Sequence, residues 1–332
     1  MLKKNRELIF SFTIFLMLLF SLFISTFSGT VEISPKEILS GKIFDDEVKK
    51  TILFELRIPR IIIAFLVGAS LSISGAILQA FFGNPLAEPY IIGVSSGSSF
   101  GAVLSTFIGI NLSLLGMSSQ AFFSFFFGLV TVLAVYSISY FRGEPKPVTL
   151  LLIGIIIGSI TSSLTSIILI FKQENLQSFI FWMLGSFSGS DWKKVFNFFP
   201  YFVFFFSLSV FFSKDLNLLV MGDEMAKSTG LNVKFLRRIS LIIATFLTSF
   251  SVSIAGIIGF VGLIIPHAVR VILGSDHRKV LPYSCFLGGV YLIYADLIAR
   301  TIYPPSEIPV GVITSLIGAP IFLYLLKSSS KH

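Results

Sequence analysis

The chain has 332 residues, of which 54% are hydrophobic and 13% charged, with 38 phenylalanines and a formal net charge of +8. Soluble domains carry about 25% charged residues, so this composition excludes an ordinary soluble enzyme and points to a membrane protein. The basic excess is no nucleic-acid footprint, because such a footprint needs a soluble basic face that this chain lacks.

Apolar runs long enough to cross a hydrocarbon layer of about 30 Å as helices follow one another along the chain. The first, near 8–28, comes after Lys3, Lys4 and Arg6. At about 20 residues it exceeds the roughly 7–15 of a signal-peptide core and reads as a span. Nine more lie near 60–82, 90–110, 120–140, 149–171, 195–212, 239–256, 262–273, 281–299 and 308–326, and the longest polar intervals are 29–59, 172–194 and 213–238. An all-α, polytopic membrane fold of about ten helices is expected, in a single domain over 1–332. With the N-terminus cytoplasmic, the inside segments hold 15 of the 25 Lys and Arg and 7 of the 17 acids, so the whole net charge falls on that side. This is the positive-inside pattern, and it makes both termini cytoplasmic.

Sliding the chain against itself gives an ungapped match at an offset of 181, with 15 of 37 positions identical between 57–93 and 238–274. Arg57/Arg238, Ser72/Ser253, Gly75/Gly256, Pro85/Pro266 and Gly93/Gly274 are among the pairs. Five spans separate the two starting points, so the second copy is upside down. Inverted repeats, here about 57–171 and 238–326, are a transporter architecture in which two halves rock about a central pathway. The repeat places two helix interruptions in register, at "GNPLAEP" (83–89) and at "GLIIPHAVR" (262–270).

Several motifs resemble chemistry without supplying it. "GVSSG" and "GSSFG" (93–101) fit the G-x-S-x-G pattern, but a nucleophile elbow needs a preceding strand and His and acid partners. Gly93, Gly97 and Gly101 instead fall on one helical face, as in close helix packing. "MGDEMAKST" (221–229) lacks the glycines of a phosphate loop. His267, His277 and His332 are too dispersed for a metal site; His267 is expected to cap backbone near a helix break. Cys285 is a packing residue. No residue is assigned a catalytic or metal-binding role. Arg57, Arg60 and Arg300 stand at outer span ends with Glu55, Asp296 and Glu307 nearby, which fits either local ion pairs or bidentate capture of a partner's carboxylates. A secondary transporter would carry carboxylates deep within its spans; here the nearest to that is Asp296.

The pieces "LRIPR" (56–60), "GASLSISGAILQAFFGNPLAEPYIIGVSSG" (68–97), "WMLGSFSGSDW" (182–192), "MGDEMAKSTGL" (221–231), "AGIIGFVGLIIPHAVR" (255–270), "GSDHRKVLP" (274–282), "ADLIAR" (295–300) and "EIPVGVITSLIGAPIFLYLL" (307–326) resemble, in order, the FecCD-type permease subunits of binding-protein-dependent ABC importers for ferric siderophores, haem and cobalamin. The resemblance implies a permease of the bacterial cytoplasmic (inner) membrane that pairs with a second copy or a paralogue. Two cytoplasmic ATP-binding subunits would carry ATP and Mg, with no cofactor on this chain, and an extracytoplasmic substrate-binding protein would deliver an iron-siderophore-type chelate. By the same resemblance Arg57, Arg60 and Arg300 meet carboxylates of the binding protein. Gly222, Asp223, Glu224, Ala226 and Gly230 belong to the coupling loop (213–238). Asn84 and Leu86 form a cytoplasmic gate, with Val148 and Thr149 opposite, where "EPKPVT" departs from the family's hydroxyl-rich pattern. The two prolines of "GNPLAEP" turn the chain at the pathway exit, and Glu88 is expected in water or beside a basic group.

Overall fold

A computed structural model of the chain describes residues 2–29, 31–110, 113–114, 116–140, 147–171 and 176–329. Its helices in chain order are α1 (Leu2–Phe27), α2 (Pro35–Leu39), α3 (Glu47–Thr51), α4 (Ile58–Phe82), α5 (Val94–Ile108), α6 (Ser119–Tyr140), α7 (Pro147–Phe171), α8 (Leu176–Met183), α9 (Trp192–Phe211), α10 (Ser213–Val220), α11 (Asp223–Ser228), α12 (Val233–Ala255), α13 (Val261–Leu273), α14 (His277–Thr301) and α15 (Val310–Ser329). The extended structure among the described residues is one two-residue antiparallel pair, β1 (Ser113–Leu114) with β2 (Met117–Ser118). The all-α expectation holds. Among the described residues seven helical runs are long and apolar enough to cross a membrane, and α5, α13 and the Val310–Tyr324 part of α15 are shorter apolar helices. These match the ten expected runs.

One boundary differs. The second span does not begin at residue 60: a π-helical turn, Ile52–Arg57, joins α3 to α4, so helix runs from Glu47 to Phe82. Arg57 therefore sits within a helix rather than in a loop.

The centre of the fold is α4, packed on α12, α13 and α14. Small residues let the backbones approach. A Cβ added at Gly68 would lie 2.2 Å from the Gly288 carbonyl oxygen, and one at Gly75 would lie 1.9 Å from that of Gly262. The stripe on α5 works in the same way against α6, since a Cβ at Gly101 would meet the Phe123 oxygen at 2.2 Å. Cys285 is buried in α14, as a packing residue should be. The helix contacts also pair up as an inverted repeat would: α4 meets α12, α14 lies on α4 as α6 lies on α12, and α13 lies on α4 as α5 lies on α12.

The interruptions are not in register. In the first copy α4 runs to Phe82 and stops at Gly83, whose φ of 58° is left-handed. In the second copy α12 stops at Ala255, and non-helical backbone covers Gly256–Phe260. Gly75, the repeat mate of Gly256, is mid-helix. Pro266 lies inside α13, which corrects the expected break at "GLIIPHAVR". A proline there removes the bond to the carbonyl four residues back, that of Gly262. The freed oxygen accepts from Gln79 Nε2 at 3.1 Å, so the helix continues. His267 is accordingly a residue of α13 and caps no break.

Candidate functional site

Arg57, Arg60 and Arg300 do come together, at the end of the bundle where α4 begins and α14 finishes, and each is bonded within the chain. Arg57 is buried and donates to the carbonyls of Thr26 (3.0 Å), Phe27 (3.3 Å) and Val31, which follow from α1. Arg60 forms a double fork. Its Nε and Nη2 reach the Asp296 carboxylate at 3.0 and 2.7 Å, and its Nη1 and Nη2 reach Glu307 at 2.8 and 2.9 Å. Arg300 donates to the Ser25 hydroxyl at 2.7 Å and lies 3.7 Å from Asp296. Asp296 is buried at 1% exposure with both guanidiniums beside it. The expected local ion pairs are present; Glu55 takes no part in them.

The loop 213–238 lies at the opposite end of α4, about 35 Å away by helical rise. Gly222 has φ 105°, a conformation that favours glycine, and it starts the six-residue α11. Ala226 is fully buried and anchors the loop, whereas Asp223 and Glu224 are exposed in the first turn of α11. Met221 and Met225 are 66% and 54% exposed beside these acids, which makes an apolar and acidic knob. Gly230, with φ 82°, ends the segment. Two ties hold the knob to the bundle. Arg237 Nη2 donates to Asp223 Oδ1 at 2.8 Å, while its Nη1 donates to the Phe81 carbonyl at 3.0 Å and its guanidinium lies over the Phe81 ring. Asn217 of α10 bonds both the Asp276 carboxylate and the His277 N–H at 2.8 Å, at the start of α14. Asp276, which also caps α14, has its pKa pulled well below the usual carboxylate range, chiefly by the bonded Arg278.

Phe81 is three residues before Asn84. Asn84 and Leu86 are exposed; the Asn84 side chain accepts from the Leu86 N–H at 2.9 Å and its carbonyl from the Ala87 N–H at 3.1 Å, which gives the turn its shape. A 3-10 turn, Pro89–Ile92, then leads into α5 and packs on α7. Val148 and Thr149 are exposed in the first turn of α7. The preceding residues 141–146, which include the first half of "EPKPVT", lie outside the described residues.

Glu88 differs from expectation. It is half-buried, and instead of water or a basic neighbour its Oε1 accepts the Phe260 N–H at 2.7 Å. Burial pushes its pKa up, partly offset by that bond. Tyr90 donates to the Ile258 oxygen at 2.9 Å and accepts the Ile258 N–H at 3.1 Å. The connection between α4 and α5 in the first copy thus clasps the broken segment of the second. Other partners close the same knot: Ser186 N–H to Ala255 O at 2.8 Å, Val310 N–H to Gly185 O at 2.9 Å and Gly311 N–H to Leu184 O at 3.0 Å. Non-helical backbone inside an apolar bundle needs such internal partners. Sequence reasoning passed over Arg237, Gln79 and Tyr90. An arginine fourteen residues after an acid carries no local signal, and neither does a lone Gln or Tyr in an apolar run.

Among the described residues no three His, Cys, Asp or Glu side chains are grouped to hold a metal ion. The described residues instead show a charged cluster at one end of α4 and, at its other end, an exposed knob tied to the last turn of α4, three residues before Asn84.

Known proteins share this chain's sequence and fold. The chain is 40% identical over 281 residues to the cobalamin import system permease protein of Halobacterium salinarum, covering 85% of this chain and 74% of that one. It is 33% identical over 338 residues to the iron(3+)-hydroxamate import system permease protein of Bacillus subtilis, covering 99% of each. A solved chain of the metal-chelate type of ABC transporter, in an inward-facing conformation, superposes with a TM-score of 0.84 at 36% identity, over 96% of this chain and 98% of that one. The model of the FecCD transport family matches residues 17–328, and the chain belongs to that family.

Proposed function

We propose that this multi-pass transport subunit, which is not itself an enzyme, is the permease of an ATP-driven importer that moves an iron-siderophore-type chelate inward across the cytoplasmic membrane. The observation that carries the reading is the exposed knob of Met221, Asp223, Glu224 and Met225, tied through Arg237 to the last turn of α4 just before the gate strip. An exposed apolar patch rimmed by charge is a docking surface, and its tie runs straight to Asn84 and Leu86. Two cytoplasmic ATPase subunits, which bind ATP and Mg, seat on this loop in the assembled complex. Closing them displaces α11, and the displacement passes through Arg237 and Asn217 to α4 and α14. Val148 and Thr149 complete the gate from the start of α7. A second copy of the chain, or a paralogue, supplies the other wall of the pathway.

The repeat halves, about 57–171 and 238–326, rock about the clasp between Glu88, Tyr90 and the Gly256–Phe260 segment. On the outer side a loaded binding protein docks over Arg57, Arg60 and Arg300. The most exposed member of that cluster is Glu307, at 38%, so an incoming carboxylate competes with it for the Arg60 fork. Rim charge of this kind governs docking rate and salt dependence more than total affinity.

The hydroxamate relative, aligned from end to end, supports the ferric siderophore reading; the cobalamin relative supports cobalamin as the second substrate, with haem after it. The test is reconstitution of the chain with its ATPase and binding protein in vesicles, followed by uptake of a ferric hydroxamate, cobalamin and haem. Uptake should need ATP and the binding protein, and it should fail with Gly222→Val or with Arg57→Glu/Arg60→Glu. Transport by the purified chain alone, driven by an ion gradient, sinks the proposal.

A further inference from the structure

We propose that the groove between α6 and α12 is a binding site for an anionic phospholipid, with the phosphate on Arg238 and one acyl chain laid along the groove. Its volume is about 320 Å³, and its walls include Leu133, Tyr136, Leu241, Ile242 and Phe246. It opens outward, since Leu133 is 61% and Ile242 37% exposed, in a chain whose outer surface faces hydrocarbon. Arg238 stands at the mouth, exposed, one turn into α12. It hydrogen-bonds the Tyr136 side chain, with Tyr140 close by, and no carboxylate is among its described neighbours.

The internal repeat identifies what the site lacks. Arg238 is the mate of Arg57 at the offset of 181. Arg57 is saturated by carbonyl oxygens contributed by α1 and the residues after it, and α1 covers α14 and touches α4. In the second copy the order of elements makes α9 the mate of α1, but α9 packs on α4 and α12 and does not lie across α6. The guanidinium that has three oxygen partners in one copy has an open apolar groove beside it in the other. A phospholipid matches both deficits: phosphate oxygens accept bidentate bonds from a guanidinium, and an acyl chain takes the place of the missing helix face. Tyr136 and Tyr140, stacked at a centroid distance of 6.4 Å, belong at headgroup level, where such rings gather.

The experiment uses the assembled complex, equilibrated with vesicles of equal phosphatidylglycerol and phosphatidylcholine, re-extracted in mild detergent and weighed by native mass spectrometry. Wild type should retain phosphatidylglycerol over phosphatidylcholine by about fivefold, the factor that ~1 kcal/mol per interfacial arginine gives. Arg238→Gln should bring the ratio to about one, Arg238→Lys should keep most of it, and Ile242→Trp, which fills the groove from its exposed side, should abolish retention with the arginine intact. Arg278→Gln, an exposed arginine away from the groove, should match wild type. An unchanged ratio in both Arg238→Gln and Ile242→Trp overturns the site, as does equal retention of the two lipids by wild type or a polypeptide found seated on the groove. Because Arg238→Lys and Ile242→Trp leave the helix contacts in place, a folding failure of Arg238→Gln does not remove the test. The readout is independent of transport, so failure here leaves the importer reading untouched.

Discussion

Arg237→Met should loosen the α11 knob from the last turn of α4 while leaving the knob itself folded. The side chain makes three contacts. The ion pair with Asp223 is half-exposed on the acid side, at 46%, and solvent screening holds such pairs to ~0.2–1 kcal/mol. The bond from a charged donor to the Phe81 carbonyl at 3.0 Å is worth ~1.5–3 kcal/mol. The guanidinium 5.3 Å from the Phe81 ring adds ~0.5–1 kcal/mol. One side chain makes all three, so the terms are not additive, and the loss in attachment is about 2 kcal/mol, or roughly thirtyfold in the tied population. The assay is chelate uptake per ATP hydrolysed in the reconstituted complex. Hydrolysis should persist, because Ala226 still anchors α11, while uptake per ATP falls about tenfold or more. Lys227→Met, an exposed cation of the same short helix, should have no effect. In a double-mutant cycle, Asp223→Asn should cost little once Arg237 is gone. Wild-type uptake per ATP in Arg237→Met, with the complex intact, refutes transmission through this residue.

Three further outcomes follow from the geometry. Glu88→Ala leaves the Phe260 N–H without its acceptor and should destabilise by ~1–3 kcal/mol, whereas Glu88→Gln keeps an oxygen there and should cost much less in a thermal unfolding assay. Since burial raises the Glu88 pKa above its ordinary 4.5, the folded state binds the proton more tightly than the unfolded chain. That contribution is fully present below pH 4.5 and is lost as pH rises through the raised value; the slope should disappear in Glu88→Gln. Gly75→Ala puts a methyl 1.9 Å from the backbone oxygen of Gly262, which cannot give as a side chain tip would, and should cost at least ~1–3 kcal/mol or block assembly; near-wild-type yield and melting temperature would show that α4 and α13 are not so close. Arg60→Met strips Asp296 of its fork and should destabilise by ~3–5 kcal/mol, with Arg60→Met/Asp296→Leu recovering most of it. If Arg60→Met melts like wild type and loses only binding-protein affinity, the fork is not a structural tie.

The helices and their small-residue contacts were legible because each is written locally. An apolar run of twenty residues has few other fates, and Gly97 and Gly101 four apart on α5 announce a close neighbour. The gap between the runs 239–256 and 262–273 was legible as well; how it is held was not. The proline ten residues after Gly256 reads as a further break, yet α13 runs through it. The decision belongs to residues far away in sequence: Glu88, Tyr90 and Ser186 satisfy backbone groups of the Ala255–Phe260 stretch, while Gln79 takes the carbonyl that Pro266 frees. Without those partners each unpaired group in the apolar bundle would cost several kcal/mol, and helix would be the better choice. The same holds for the arginines. Their positions at span ends were readable, but which carbonyls and carboxylates they meet depends on how α1 and α14 lie against α4.

That non-local origin has a mechanical meaning. Two copies of one ancestral half would break at matching points if local sequence governed them, and a symmetric pair of breaks would give each half its own hinge. Here the first copy keeps α4 continuous from the charged cluster of Arg57 and Arg60 to the Asn84 turn, and the second carries the interruption in mid-bundle. A continuous helix transmits displacement along its length, whereas a segment held by a few side-chain bonds yields where those bonds exchange. The clasp of Glu88 and Tyr90 on the broken segment joins the two kinds of element just after the Asn84 turn. Under the proposed importer mechanism small movements of α11 need not bend the core: they shift α4 as a rod, and the strain is taken up where backbone bonds are already held by side chains rather than by helix.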